Sequence, residues 1–234
     1  MLKPDYDKLQ NTLGYQFKDL SVLKLALTHS SFAHERPGQT KGQYNERIEY
    51  LGDAVLELIV SDYLYYNYPE KSEGEMTRTR ASLVCEFTLA ACAREISLGE
   101  YIFLCKGEDV TGGRKRDSIL SDAFEAILGA IYVDGGFEPA RAFISRILLK
   151  DIEHKQLFYD SKTCLQELVQ AKKNQQLQYV IVKESGPEHN KQFVAEVQIN
   201  GAVIAEGKGH SKKTAEQQAA YAALLKLKGK EKGQ

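Results

Sequence analysis

The feature that most constrains this chain is a change of hydrophobic period near residue 160. Before it, apolar residues recur every three or four positions through long runs; after it, short segments alternate with period two around turn dipeptides. One packed layer cannot satisfy both patterns. The sequence therefore predicts two domains, all-α over residues 1–155 and a smaller α+β unit over residues 161–229. Helices are expected at roughly residues 4–12, 18–28, 45–66, 74–93, 117–133 and 138–153, with polar, Gly-containing breaks at 38–43 and 107–116. In the second unit a helix over 162–173 precedes strands at 179–182, 192–199 and 202–206. Asn200-Gly201 is the hairpin turn, and Ser211 caps a last helix running to about residue 226. The order is α-β-β-β-α, and the Lys- and Gly-rich tail from residue 228 is expected to be disordered.

Composition narrows the function classes. Hydrophobic residues make up 43% and charged residues 27%, ordinary for a packed globular protein. No run approaches the roughly 18 uninterrupted apolar residues of a membrane span, and the opening residues lack an apolar signal core. The chain is expected to be unprocessed and cytoplasmic, with no membrane partner. Cysteines 85, 92, 105 and 164 show no paired zinc-type spacing and read as reduced thiols. The net charge of −1 hides an asymmetry: 19 Lys+Arg against 24 Asp+Glu over residues 1–155, but 12 against 8 over 156–234. An acidic larger part suits cations, and a basic smaller part suits a polyanion.

The acids are patterned. Glu46, Glu49 and Asp53 fall on one stripe of a helix whose other side carries Ile48, Leu51, Val55, Leu58 and Ile59, expected to pack inward. Few basic residues stand at i+4 to pair with these acids, as a solvated face would normally arrange. Gly52, costly by about 1 kcal/mol inside a helix, marks a close approach of another element. A second helix repeats the design, with Asp122 and Glu125 on one face, Gly129 a turn beyond, and Phe124, Ile127, Leu128 and Ile131 opposite. If the two helices pack through their glycines, Glu49, Asp53, Asp122 and Glu125 converge. The spacing alone is compatible with two solvated faces, with a proton-sharing carboxylate pair, or with a Mg²⁺ or Mn²⁺ site built from oxygen ligands.

In the second unit, Lys212 and Lys213 open the last helix, where the partial positive charge of a helix N-terminus disfavours cations unless an anion is bound. Gln166, Glu167 and Gln170 form a polar edge on the first helix, suited to ribose hydroxyls and minor-groove base edges. The segment Ser185-Gly-Pro-Glu-His-Asn190 offers a rigid turn through Gly186, Pro187 and His189. Three such surfaces match shape-reading of double-stranded RNA, and no aromatic stacking platform indicates base-specific readout.

These residues carry a resemblance. Asn45-Glu-Arg-Ile-Glu-Tyr-Leu-Gly-Asp-Ala-Val-Leu56, residues 73–84, Gly112-Gly-Arg114 and the run from Asp117 to Tyr132 resemble the ribonuclease III family. Lys162-Thr-Cys-Leu-Gln-Glu167, Gly186-Pro-Glu-His189 and residues 212–220 resemble the double-stranded-RNA-binding domain. The resemblance covers nearly the whole chain and implies an all-α endonuclease domain followed by an RNA-binding domain. It further implies a homodimer that hydrolyses double-stranded RNA with Mg²⁺, Mn²⁺ substituting, and no small-molecule cofactor. By that resemblance Glu49, Asp122 and Glu125 are metal ligands. Asp53 and Glu125 are catalytic, with Asp53 meeting a metal directly or through water. Glu46 and Glu73 match acids near the substrate or subunit interface, and Tyr50 stands where the family usually inserts a Phe into its partner. Asp117 and Thr77 replace the family's frequent Glu and Ser. The implied products carry 5′-phosphate and 3′-hydroxyl ends with short 3′ overhangs, and the implied substrates are precursors of ribosomal RNA and some messenger and transfer RNAs. Two rivals remain at this stage: a non-catalytic RNA-binding dimer, and an all-α nucleotide hydrolase. His29, His34, His154 and His210 show no paired ligand spacing and read as structural or surface residues.

Overall fold

A computed structural model describes residues 5–35, 43–152, 161–171, 175–186, 191–209 and 211–231. The chain divides into two compact units, residues 1–152 and 153–234. The first is helical: α1 (Tyr6–Leu13), α2 (Leu20–Ala26), α3 (Ser30–His34), α4 (Glu46–Asn67), α5 (Glu73–Leu83), α6 (Glu86–Glu95), α7 (Lys106–Val110), α8 (Asp117–Gly135) and α9 (Phe137–Ile147). Its centre is α8, whose residues from Ile119 to Ile131 are buried on almost every side, so that Asp122 and Glu125 are the charged interruptions in a largely apolar rod. Leu9, Leu23, Leu56, Ile59, Leu89, Phe124 and Ile144 close around it. Each such side chain withdrawn from water contributes about 1.5–3 kcal/mol against the entropy of ordering the chain. The interface of α4 with α8 is the most extensive between any two helices.

Several elements depart from the sequence expectation. The single helix expected over 74–93 is two. A capping box between Ser72 and Glu75 opens α5. The chain then turns at Val84-Cys85, because the Thr88 hydroxyl (2.8 Å) and the Cys85 thiol (3.4 Å) both bond the Ser82 carbonyl and divert the backbone from helix. Short helix α3 lies in a stretch to which the sequence assigns no element, and α7 falls largely within the break expected at 107–116. Leu58, expected to pack inward, is 57% exposed.

The second unit contains α10 (Ser161–Gln170), β1 (Leu177–Ser185), β2 (Gln192–Ile199), β3 (Ala202–Gly209) and α11 (Lys212–Glu231). The sheet is antiparallel in the order β1-β2-β3. Asn200 and Gly201 both take left-handed backbone angles (φ 52° and 78°), the geometry a two-residue hairpin with right-handed strand twist requires. One sheet face, with Phe193, Ala195, Val197 and Ala205, packs on Leu165 and Val169 of α10 and on Ala215, Ala219, Ala220, Ala223 and Leu224 of α11. The alanines let α11 lie close to the strands. The segment from residue 228, expected to be disordered, continues α11 through Glu231.

Candidate functional site

The crossing of α4 and α8 is set by two glycines facing each other's backbone. A methyl group at Gly52 would overlap the Glu125 carbonyl oxygen and stand 3.0 Å from the Gly129 nitrogen. A methyl at Gly129 would overlap the Ile48 carbonyl oxygen and stand 3.1 Å from the Gly52 nitrogen. The helices therefore touch backbone to backbone, and the acids one turn away on each are drawn into a common field. Glu49, Asp122 and Glu125 are half-buried, while Glu46 and Asp53 are exposed.

The electrostatics record this proximity. Burial, then the charges of Asp53, Glu49, Asp122 and Glu57, push the Glu125 carboxyl up to about 8. Burial, then Asp122, Glu46 and Asp53, push Glu49 up to about 7. Burial also raises Asp122, against the opposing effects of the Ser121 hydroxyl and the His29 ring. Glu46 thus joins the four acids electrostatically. Glu73 does not: it accepts a hydrogen bond from Thr77 at 3.0 Å and lines a separate hollow of about 430 Å³ with Leu58, Tyr65, Met76 and Arg80. Among the described residues no three His, Cys, Asp or Glu side chains close into a coordination sphere. The acids stand within electrostatic reach of one another rather than at ligating distance. An all-oxygen set of half-buried carboxylates in mutual repulsion fits a hard divalent cation, not zinc.

Two groups border the cluster. Arg80 pairs at 2.8 Å with Glu57, whose charge acts on Glu125, and donates to the Ser61 hydroxyl at 2.9 Å, binding α5 to α4. His29, read from sequence as structural or surface, caps α3 and lies within the field of Asp122. No spacing signal links these two, because the chain brings them together only through the fold. Asp117 pairs with Arg94. Tyr50 is 80% exposed on α4, and Leu58 and Tyr65 (65% exposed) continue an apolar stripe along the same helix.

In the second unit Gln166, Glu167 and Gln170 lie exposed on α10, opposite the buried Leu165 and Val169. Lys212 and Lys213 are exposed in the first turn of α11, where Ser211 accepts from the Thr214 amide at 3.1 Å. Lys162 ties α10 to α11 through Glu216 at 2.6 Å. Gly186 ends β1 with φ 94°. Pro187 and His189 lie outside the described residues, as do His154 and His210.

An acidic helical unit followed by an α-β-β-β-α module with a basic helix N-terminus fits the expectation of an endoribonuclease directed at double-stranded RNA. Comparison with known proteins agrees in both parts: residues 19–152 match the Ribonuclease-III-like family and residues 161–227 match the double-stranded RNA binding motif. A protein from Pelotomaculum thermopropionicum named Ribonuclease 3 is 52% identical over 93% of this chain and 91% of its own length. One of the same name from Caldanaerobacter subterraneus is 48% identical over 94% and 96%. The solved nuclease domain of ribonuclease III from Campylobacter jejuni, described with a flexible region involved in dimer formation, is 41% identical, with a TM-score of 0.58, over 63% of this chain and 98% of its own. The chain belongs to the ribonuclease III family. Members of that family are generally metal-dependent. Among the described residues no helix is long and apolar enough to cross a membrane.

Proposed function

We propose that Glu49, Asp53, Asp122 and Glu125 hold Mg²⁺, or Mn²⁺ in its place, and that this centre hydrolyses phosphodiester bonds of double-stranded RNA to 5′-phosphate and 3′-hydroxyl ends. The observation that carries this reading is the Gly52–Gly129 crossing, which brings half-buried carboxylates of α4 and α8 into one another's field. A divalent cation bound there supplies Lewis-acid activation of water and neutralises charge developing on the phosphate. The chain's own groups do the rest. Glu49, Asp122 and Glu125 are carried on the facing sides of α4 and α8, whose backbone crossing limits how far each side chain must move to reach one cation. Asp53, the most exposed of the four, faces the side from which substrate arrives. Gln166, Glu167 and Gln170 contact a minor groove, Lys212 and Lys213 contact phosphates, and the turn containing Gly186, Pro187 and His189 contacts the next minor groove.

The apolar stripe Tyr50–Leu58–Tyr65 supports a homodimer in which α4 meets its counterpart, so that two centres cut one strand each and leave short 3′ overhangs. Ribosomal RNA precursors are the principal substrates, with some messenger and transfer RNA precursors, in the cytoplasm. The test is incubation with a long perfect duplex and with single-stranded RNA of the same sequence, with and without EDTA. Duplex-specific cutting that EDTA abolishes is expected. A mobility shift without cutting in Mg²⁺ would refute the catalytic reading.

A further inference from the structure

One face of the second unit's sheet packs on α10 and α11; the strand registers order the residues of the other face into rows. Lys183 of β1 and Lys208 of β3 both stand opposite Val194 of β2. In the next row Val180 and Glu206 stand opposite Glu196, and in the third Gln178 and Val203 stand opposite Gln198. These positions alternate with Ala195, Val197 and Ala205, which are buried against the helices. Val180, Val182 and Val203 are exposed, as are Lys183, Glu206 and Lys208.

Two features of this face are costly for a sheet that meets only water. Glu196 and Glu206 are direct cross-strand neighbours, and like charges so placed destabilise the pairing. The Gln198 side-chain amide donates to Glu196 at 2.8 Å, but it is neutral and leaves the repulsion in place. Among the described residues neither glutamate joins an ion pair, nor does Lys183 or Lys208. The second feature is the run of exposed valines between the two charged rows, apolar area that a covering surface would withdraw from water.

The order of the rows says what covers them. Successive rows on one face lie about 6.8 Å apart, and neighbouring strands about 4.8 Å apart. A two-fold axis running across the strands, midway between the lysine row and the glutamate row, lays each row over the other. Lys208 then faces the partner's Glu206, and Lys183 stands one strand's width from the partner's Glu196, within reach of its four-carbon stem. The valines meet between them. A two-fold axis along the strands would instead stack lysine on lysine. The pattern is therefore self-complementary in a single orientation.

We propose that this face binds a second copy of the chain, the two sheets packing face to face with their strands antiparallel about that axis. The contact is isologous, so one patch serves both copies. It is independent of the acidic centre and of the α4 stripe. The face measures about 15 Å by 20 Å by strand spacing and rise, well below the area of a permanent interface, so the association is weak and salt-sensitive.

The experiment is sedimentation equilibrium of the full chain from micromolar to millimolar concentration, at about 0.05 M and about 0.5 M salt. It reads the growth of mass above the species present at the dilute limit, whatever contact forms that species. The wild type is expected to gain mass at low salt and to lose most of the gain at high salt. Glu196→Lys with Glu206→Lys, and separately Lys183→Glu with Lys208→Glu, should each weaken the association about 10-fold or more. An equimolar mixture of the two variants, one face wholly basic and the other wholly acidic, should associate again. So should the chain carrying all four substitutions, in which the rows are exchanged and the charge of the face is unchanged; its recovery also shows that the exchanged residues leave the fold intact. A wild type whose mass does not rise at low salt would overturn the proposal. So would wild-type association in both double variants, or a loss in both that neither the mixture nor the four-fold variant restores.

Discussion

Gly52→Ala tests the helix crossing on which the acidic site depends. In an unobstructed helix the substitution favours the folded state by about 1 kcal/mol, because alanine loses less backbone freedom than glycine. At Gly52 the new methyl overlaps the Glu125 carbonyl oxygen and crowds Gly129, both backbone, so no side chain can swing away. Relief requires the long helices α4 and α8 to part, and overpacking of this kind costs about 1–3 kcal/mol. The net expectation is a loss of up to about 2 kcal/mol, or up to roughly 8 °C in the unfolding midpoint of a unit this size. Gly74 on α5 is the control: nothing lies within 4 Å of a methyl there, so Gly74→Ala should be neutral or stabilising. The same change of residue thus has opposite signs at two helical positions. Cleavage should fall further than stability, since a displacement of about 1 Å between catalytic groups costs on the order of 10²-fold in rate. Differential scanning calorimetry and single-turnover cleavage below the transition read both effects. If Gly52→Ala is as stable as Gly74→Ala and cleaves at the wild-type rate, the backbone-to-backbone crossing does not position the acids.

Burial and like charge raise Glu49 to about 7 and Glu125 to about 8, so the folded state binds these protons more tightly than the unfolded chain, whose carboxyls titrate near 4.5. Their contribution is therefore present below about pH 4.5 and lost as pH rises through 7 to 8. The metal-free unfolding midpoint of wild type relative to Glu125→Gln should fall between pH 5 and 8.5, and a difference that stays flat or rises would contradict the burial of Glu125. Lys212→Ala with Lys213→Ala should weaken duplex RNA binding and lower the slope of log affinity against log salt by about 2, one for each lost phosphate contact; an unchanged slope excludes both lysines from the backbone. Leu58→Lys, on the exposed stripe, should shift the chain from dimer to monomer in sedimentation while leaving its helical content intact, and a persistent dimer would move the interface off α4.

Much of the fold is legible because its signals are local. The period of three to four marks α4 and α8, and Asn200-Gly201 marks the hairpin. Gly52 in a helix interior announces a close approach, but not that the approaching groups are the Glu125 and Ile48 carbonyl regions, which only the packed structure reveals. The break between α5 and α6 is hidden, since the apolar period runs on through Leu83 and Leu89 while ordinary small residues, Ser82, Cys85 and Thr88, do the turning. Leu58 was misread because its helical position is equally compatible with the core and with a partner's surface. The end of α11 was misread for a different reason. Lysine-rich composition suggests solvation, yet lysine and glutamate are good helix formers, and the buried Ala223 and Leu224 anchor the turns before them. His29 reads from sequence as structural or surface, and its place as the cap of α3 is visible only in the fold.

The claim that the acids of α4 and α8 form the phosphodiester-cleaving centre is tested most directly by single-turnover cleavage of a perfect RNA duplex with Glu125→Gln at saturating Mg²⁺, with duplex affinity measured in parallel. Loss of cleavage by several orders of magnitude with near-wild-type affinity is the expected result; cutting at the wild-type rate would contradict it.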